Sequence, residues 1–365
     1  MVRLGIAGFG LMGNTHAKNI HEGRVPGCEL AAVCDTNPAQ MELIKARHPS
    51  VKTFVNATDM LKSGVIDAVL ISTPHYDHPI IAMEAFAHKI HVMLEKPAGV
   101  FTKNVREMNA KAVQSGVIFG IMYQQRTNPV YRKIHEMVQA GVLGTLKRTT
   151  ILITDWYRPQ AYYDAGGWRA TWKGEGGGVL INQCPHNLDL WQWICGMPNR
   201  ITAFTHNGKW HNIEVEDDVT AYVEYENGAT GIFVTSTADC PGSNRFEIMG
   251  DLGKLVYEHD QLVHYKLEMS ERAFNKTNKE MFASPKAERI IVDCPGEFTQ
   301  HSGVLTAFVK KIAGEGGNLI ANGVEGINGL MISNAIHLSS WLKKTVELPL
   351  DEDLFKAELE KRFRQ

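Results

Sequence analysis

No C-x-x-C pair occurs in this sequence, and its six cysteines (28, 34, 184, 195, 240 and 294) are scattered over 365 residues. Disulfide frameworks hold small secreted domains together rather than chains of this size, so reduced and mostly core-packed thiols are expected. Zinc is equally unsupported: Cys184, His186 and Cys195 share one predicted helix, without a fourth ligand at metal spacing. No apolar run approaches the length that spans a bilayer. Arg3 runs into a glycine-rich turn rather than into an apolar stretch with a small-residue cleavage site, so no signal peptide is read. Charge of one sign is also missing. The 38 Lys and Arg are interspersed with 40 Asp and Glu, for a net charge of −2. Nothing resembles a basic stripe for nucleic acid or a basic helix for a membrane surface. The expectation is a cytoplasmic protein without bound metal and without nucleic-acid or membrane partners.

What is present is an ordinary globular composition, 44% apolar and 21% charged, on a chain long enough for two domains. Over residues 1–123, short apolar runs alternate with helix-length stretches. The runs are Val2–Phe9, Glu29–Asp35, Asp67–Pro74, His91–Pro97 and Val117–Met122. That alternation predicts a parallel, doubly wound sheet. Over residues 124–365 the pattern changes to strand-like segments from Leu146 onward, with Asn227-Gly228 and Asp251-Leu252-Gly253 as tight-turn signals. Helices are predicted over Gly178–Ile194, Val304–Ala313 and Gly326–Lys344. The second domain therefore reads as α+β with a large open antiparallel sheet. An open sheet face must be covered, which points to a homo-oligomer formed through that face.

Gly8-Phe9-Gly10-Leu11-Met12-Gly13 follows the first strand and opens a helix, the context in which G-x-G-x-x-G binds a dinucleotide. Gly8 permits the turn, Gly10 lets a pyrophosphate approach, and Gly13 allows close helix–strand packing; the helix N-terminus offers N–H groups to phosphate. Asp35 ends the second strand 22 residues after Gly13, where an acid accepts ribose hydroxyls. No Arg follows at once to bind a 2′-phosphate, so NAD is favoured over NADP. Asp-Thr-Asn-Pro also reads as a helix start. Thr73, Pro74 and His75 end the next strand and should border the cofactor, and His78 is either a contact or a helix cap.

Glu95-Lys96-Pro97 closes the fourth strand and points at the same crevice. A lysine there can stabilise a developing alkoxide. Gln125 and Arg126 follow the last strand and are candidates for cofactor contact, Arg126 also for substrate. Three glycines lead into Val179-Leu180-Ile181-Asn182-Gln183-Cys184-Pro185-His186, with Asn182 and His186 at i and i+4. Histidine is the natural proton acceptor near neutral pH. Asp155, Trp156, Tyr157, Trp168 and Arg169 offer aromatic faces and polar groups that suit a sugar ring.

These motifs, in this order, resemble the Gfo/Idh/MocA oxidoreductases along essentially the whole chain. The resemblance implies an N-terminal Rossmann domain, a C-terminal domain whose sheet is used for oligomerisation, and oxidation of a secondary alcohol on a sugar or cyclitol. It carries the family's lysine to Lys96 and its catalytic histidine to His186. Asn182 stands where many members have Asp, so it is expected to orient substrate rather than accept a proton. The Asn-Gln-Cys-Pro-His form is similar to members that oxidise C3 of glucosides. The rival expectations are a cyclitol dehydrogenase, a redox-neutral NAD-dependent glycosidase, and a non-catalytic NAD-binding protein.

Overall fold

A computed structural model describes residues 1–363, which fall into two compact units. The first comprises residues 1–128, 174–176 and 298–330; the second comprises 129–173, 177–297 and the chain from 331 onward.

The first unit is built on six parallel strands: β1 (Val2–Ala7), β2 (Cys28–Cys34), β3 (Lys52–Phe54), β4 (Ala68–Ile71), β5 (His91–Leu94) and β6 (Phe119–Ile121). Their spatial order is β3-β2-β1-β4-β5-β6. β4 is buried along its whole length, which is why it reads as an unbroken apolar run rather than an alternation. The order reverses between β1 and β4, so the carboxyl ends of these two strands flank the crevice where doubly wound sheets bind ligands. β3 was not anticipated, because three residues carry no periodicity. A helix at Gln300–Ile312 also joins this unit although it follows the second sheet in sequence. Its Val304, Leu305, Phe308 and Val309 share one core with Val2, Leu4, Ile6, Phe9 and Ile20.

The second unit holds nine strands: β7 (Leu146–Ile153), β8 (Arg200–Asn207), β9 (Glu216–Glu224), β10 (Thr230–Ser236), β11 (Asn244–Gly250), β12 (Gly253–Glu258), β13 (Gln261–Leu267), β14 (Ala287–Ile291) and β15 (Val346–Glu347). Their order is β14-β13-β12-β11-β7-β10-β9-β8-β15. The expected antiparallel sheet is found, with one parallel pair, β7–β10, at its middle. Asn227-Gly228 makes the turn between the antiparallel strands β9 and β10, with Gly228 at φ 83°. Burial alternates along β9, as it must when one face is packed and one is open. The packed face meets the helix Pro185–Cys195, where Trp191 stacks on Phe233 at 5.7 Å and donates to Thr149 Oγ1. On the other face, Phe204, Tyr222 and Ile232 of neighbouring strands are 64%, 42% and 39% exposed. Among the described residues no helix is long and apolar enough to cross a membrane.

Phe308 is fully buried in the first unit's core. Phe308→Ala should destabilise the protein by about 3–5 kcal/mol through lost transfer energy and a residual cavity. The fall in the denaturant midpoint of unfolding measures it.

Candidate active site

The glycine turn leaves β1 at Gly8, which has φ 89°. A side chain there would meet the Ser72 carbonyl at 2.7 Å, and one on Gly13 would meet the Gly8 carbonyl at 2.1 Å. These two positions must be glycine for the helix Leu11–His21 to approach β1 and β4. Gly10 differs: a Cβ there would have nothing within 4 Å, so its backbone faces open space. The helix starts at Gly10 with no side-chain cap and no acid in its first turn. Open backbone and uncapped N–H groups are what a pyrophosphate requires. Leu11 is exposed and Met12 partly so, whereas Phe9 is fully buried and contributes only its backbone.

Asp35 holds this turn in place. Its Oδ2 accepts the Phe9 N–H at 2.7 Å and its Oδ1 accepts the Asn37 N–H at 2.8 Å. Each carboxylate oxygen keeps a second lone pair for a ribose hydroxyl. The helix cap is Asn37, whose side chain accepts from Ala39. Arg47, which the sequence reading did not consider, donates to Asn14 on the glycine helix at 3.1 Å.

Ser72 Oγ donates to the Gly8 carbonyl at 2.8 Å, joining the ends of β1 and β4. Thr73 Oγ1 is buried and has no hydrogen-bond partner in the protein. Pro74 leads into a short 3-10 turn that begins at His75, which is buried with Nδ1 3.1 Å from the Glu175 carbonyl. His78 is fully buried, with its ring nitrogens 2.9 Å from the Thr73 carbonyl and 2.7 Å from that of Pro97. It ties the end of β4 to the turn after β5, and burial pushes its basicity down. Gln125 and Arg126 lie in a 3-10 turn after β6. Arg126 is buried over the Tyr123 ring and paired with Glu325 at 2.6 Å. Its charge is therefore engaged within the fold.

Lys96 follows β5, partly exposed, with a cis peptide bond to Pro97. Beside it Glu95 is 4% exposed. Its Oε1 meets His16 Nε2 at 2.7 Å, and its Oε2 accepts the Lys96 backbone N–H at 3.2 Å. An ionised carboxylate only accepts, so His16 Nε2 donates to it. Burial alone would push the Glu95 carboxyl up. The His16 hydrogen bond and the charges of His16, His301 and Lys96 outweigh that and hold it down at about 2. His301 lies 5.5 Å from the His16 ring. Neither histidine was singled out in the sequence.

In the second unit the predicted helix over Gly178–Ile194 is shorter than expected: residues 178–184 are turns and the helix runs Pro185–Cys195. Proline lacks the N–H that an interior helical position needs, so it starts the helix instead. Asn182 thus stands in the turn and His186 in the first helical turn, 5% exposed. A buried carboxylate fixes the turn. Glu216, with no exposure, accepts the Gly178 N–H at 2.9 Å and the Leu180 N–H at 3.1 Å. His337 Nε2 lies 3.0 Å from its Oε2, stacked on Trp341 and edge-on to Trp172. A side chain on Gly178 would strike the Glu216 carbonyl at 2.0 Å. The acids at the head of β9 interrupt an otherwise apolar alternation, which is the one sequence signal that marks Glu216.

Near Asn182 the structure gathers several side chains of this unit. Trp156 donates to Asn187 at 3.3 Å. Arg158 lies over the rings of Trp156 and Tyr162, and Arg169 over those of Tyr162 and Trp168. Tyr162 Oη is 3.5 Å from Asn182 Oδ1. Asp155 and Tyr157 are exposed beside this group. Arg158 and Tyr162 carried no sequence signal.

Residues 2–123 match the model of an oxidoreductase family with an NAD-binding Rossmann fold, and residues 131–256 match that of the GFO/IDH/MocA C-terminal domain. The chain is 31% identical over 194 residues to the rhizopine catabolism protein MocA of Rhizobium meliloti, covering 53% of this chain and 57% of that protein. It is 26% identical over 277 residues to scyllo-inositol 2-dehydrogenase (NAD(+)) of Bacillus subtilis, covering 73% and 78%. It is 28% identical over 230 residues to D-glucoside 3-dehydrogenase of Escherichia coli, covering 58% and 63%. The WlbA dehydrogenase of Chromobacterium violaceum, solved with NADH and UDP-GlcNAcA, superposes with a TM-score of 0.80 at 27% identity over 96% of each chain.

The lowered Glu95 value has a consequence for stability. Between the unfolded value of 4.5 and the folded value of about 2, the unfolded chain binds this proton more readily. The contribution of Glu95 is therefore complete above 4.5 and is lost as pH falls through 2. Glu95→Gln should flatten the acid limb of the stability–pH curve over that window, as read by denaturant midpoints at successive pH values.

Proposed function

The chain belongs to the GFO/IDH/MocA family of NAD-binding oxidoreductases, and on that premise we propose that it oxidises a secondary alcohol of a sugar or glycoside, the C3 hydroxyl of a glucosyl unit being the favoured target. The observation that carries this reading is Lys96 at the carboxyl end of β5, in the same unit as the glycine turn and backed by the Glu95–His16 pair. Similarity to D-glucoside 3-dehydrogenase supports the glucosyl C3 assignment.

The cofactor residues are Gly8 to Gly13, through backbone and helix N-terminus, Asp35 through the ribose, and Thr73 to His75 along the end of β4. When bound, NAD⁺ supplies the hydride acceptor. The chain's own groups handle the proton and the orientation. His186 takes the proton from the substrate hydroxyl, and Lys96 stabilises the oxygen as it gains negative charge before becoming a ketone. Asn182 holds substrate oxygen by hydrogen bond. Trp156, Trp168 and Arg169 line the sugar ring, with Asp155 and Tyr157 at the rim. Positioning supplies most of the rate, because the redox chemistry belongs to the cofactor. Residues 1–123, with the helix Gln300–Ile312 packed into their core, serve the cofactor, and the second unit serves substrate and assembly.

Asp35 favours NAD over NADP, since its carboxylate repels a 2′-phosphate. Asp35→Ala should raise kcat/KM for NADP relative to NAD, with Arg47, which donates to Asn14 of the glycine helix, as the guanidinium at hand. An unchanged ratio would remove Asp35 from that role. The open sheet face carrying Phe204, Tyr222 and Ile232 is proposed as the surface through which copies associate. Ile232→Lys should shift the protein to smaller species in light scattering coupled to size exclusion.

The decisive experiment follows absorbance of NADH on a panel of methyl glucosides, free sugars and myo-inositol. Oxidation of a glucoside at C3, located on the isolated product, is the expected outcome. Oxidation of myo-inositol alone would replace sugar by cyclitol, and release of aglycone without NADH would replace dehydrogenation by elimination. His186→Ala should lower kcat by roughly 10²- to 10⁴-fold while NADH binding persists.

A further inference from the structure

Arg158 is held in place along its length, but its charge is left without an acid. Its backbone N–H donates to the Thr237 carbonyl at 2.8 Å, and its own carbonyl accepts from His211 Nε2 at 2.8 Å. His211 Nδ1 in turn donates to Asp217 Oδ2 at 2.9 Å, since a carboxylate only accepts. Asp217 has no exposure and also takes the backbone N–H groups of Lys209, Trp210 and His211. Tyr163 packs on the His211 ring at 4.9 Å and donates to Thr237 Oγ1 at 2.8 Å. The side chain is fixed as well. Its guanidinium lies 5.5 Å from the centroid of the Trp156 ring and 5.1 Å from that of Tyr162, and Nη1 donates to the Tyr157 carbonyl at 2.9 Å. The nearby acids are engaged elsewhere, Asp217 with His211 and Asp218 with Lys209 and His206. Among the described residues no carboxylate pairs with Arg158, and its remaining N–H groups meet no protein acceptor.

We propose that Arg158 is a specificity-determining residue that binds an anionic group, a carboxylate or a phosphate, on the substrate. Arginine suits both, because its planar donors match two oxygens of either group at once. A side chain already ordered by two rings loses little further freedom on binding, so ordering cost offsets little of the ion contact. The place is that of the proposed sugar site: Trp156 is one of its lining rings, and Tyr162 Oη lies 3.5 Å from Asn182 Oδ1. The preferred substrate is therefore an acidic glycoside, such as a glucuronide or a glucoside 6-phosphate, and both keep the C3 hydroxyl. This inference rests on the dehydrogenase reading for the reaction, but not for the binding of the anion.

Two arms of one experiment test it. In the first, without turnover, glucuronate, glucose 6-phosphate and glucose are titrated by calorimetry into the NADH-bound protein. At least one of the two anions should bind roughly 10- to 100-fold more tightly than glucose, the range of a hydrogen-bonded charge, and Arg158→Gln should remove that advantage. Arg158→Lys keeps the charge but not the paired donors, and should fall between. Unchanged circular dichroism and NADH affinity show that the variants are folded. In the second arm, kcat/KM with NAD⁺ is compared for methyl glucuronide, methyl glucoside 6-phosphate and methyl glucoside. The ratio of the better anionic substrate to the neutral one should be roughly 10 to 100 in the wild type and near unity in Arg158→Gln. Which anion wins identifies the group as carboxylate or phosphate. No advantage of either anion over glucose, or an advantage that survives Arg158→Gln, overturns the proposal. Oxidation of all three glycosides with equal efficiency overturns it too and leaves the dehydrogenase reading intact. Binding of an anionic sugar that depends on Arg158, with no NADH formed from any glycoside, would count against the dehydrogenase reading and leave the anion site standing.

Discussion

Glu216 has no solvent exposure, and a carboxylate in that position is tolerated only when it is fully hydrogen-bonded. The second unit meets that demand with backbone. Gly178 and Leu180 give their N–H groups, and His337, stacked on Trp341 and edge-on to Trp172, lies with Nε2 3.0 Å from Oε2 on the remaining side. The consequence reaches beyond the carboxylate. By gripping Gly178 and Leu180, Glu216 fixes the turn from which Asn182 and then Pro185 and His186 emerge. Gly178 must lack a side chain because the carbonyl of the same glutamate lies against it. Removing one partner of such a group typically costs 3–5 kcal/mol, so the shape of the turn is held far more firmly than its seven irregular residues suggest.

The first unit solves the same problem in the same way. Glu95 is buried, meets a fully buried histidine, and accepts a backbone N–H from Lys96, the lysine of the proposed reaction. In each unit, then, a glutamate–histidine pair in the interior holds the main chain of a segment that carries a site residue. The arrangement separates two tasks. The buried pair supplies rigidity to the main chain, and the chemistry is proposed for the neighbouring Lys96 and His186. Preorganisation of this kind is worth more than additional contacts to substrate, because a displacement of about 1 Å at the reacting groups can cost two orders of magnitude in rate.

How much of this was legible follows from the range of each interaction. The glycine turn, Asp35 and the Glu95-Lys96-Pro97 turn could be read because they are local. Gly8 and Gly13 need a strand before and a helix behind, and the strand ends are marked by apolar runs that stop. The parallel, doubly wound class of the first sheet follows from the alternation, but its spatial order does not, since β3 at its edge went unseen. The helix expected from Gly178 failed at its N-terminal end, where Glu216, 38 residues away, competes successfully for the N–H groups of Gly178 and Leu180. Three strands were missed: β3 and β15 have three and two residues, too few for any period to show, and β14, Ala287–Ile291, is an edge strand with no apolar alternation. His16, His301, His337, Tyr162 and Arg158 were invisible for one reason. Each acts through a partner far away in sequence or through a ring contact, and neither leaves a pattern in a single chain. Helix Gln300–Ile312 was recognised as a helix, but its apolar stripe says only that it packs, not on which sheet.

Asn182 shows where local chemistry and long-range structure must be combined. Its identity was plain from the sequence, and so was the loss of a carboxylate at that position. Identity alone leaves an amide ambiguous, since one end donates and the other accepts. Its surroundings are long-range. Tyr162 Oη lies 3.5 Å from its Oδ1, and Glu216 grips the backbone of Gly178 and Leu180 in the turn that carries it. The place of the amide is thus set by residues that no local pattern connects to it.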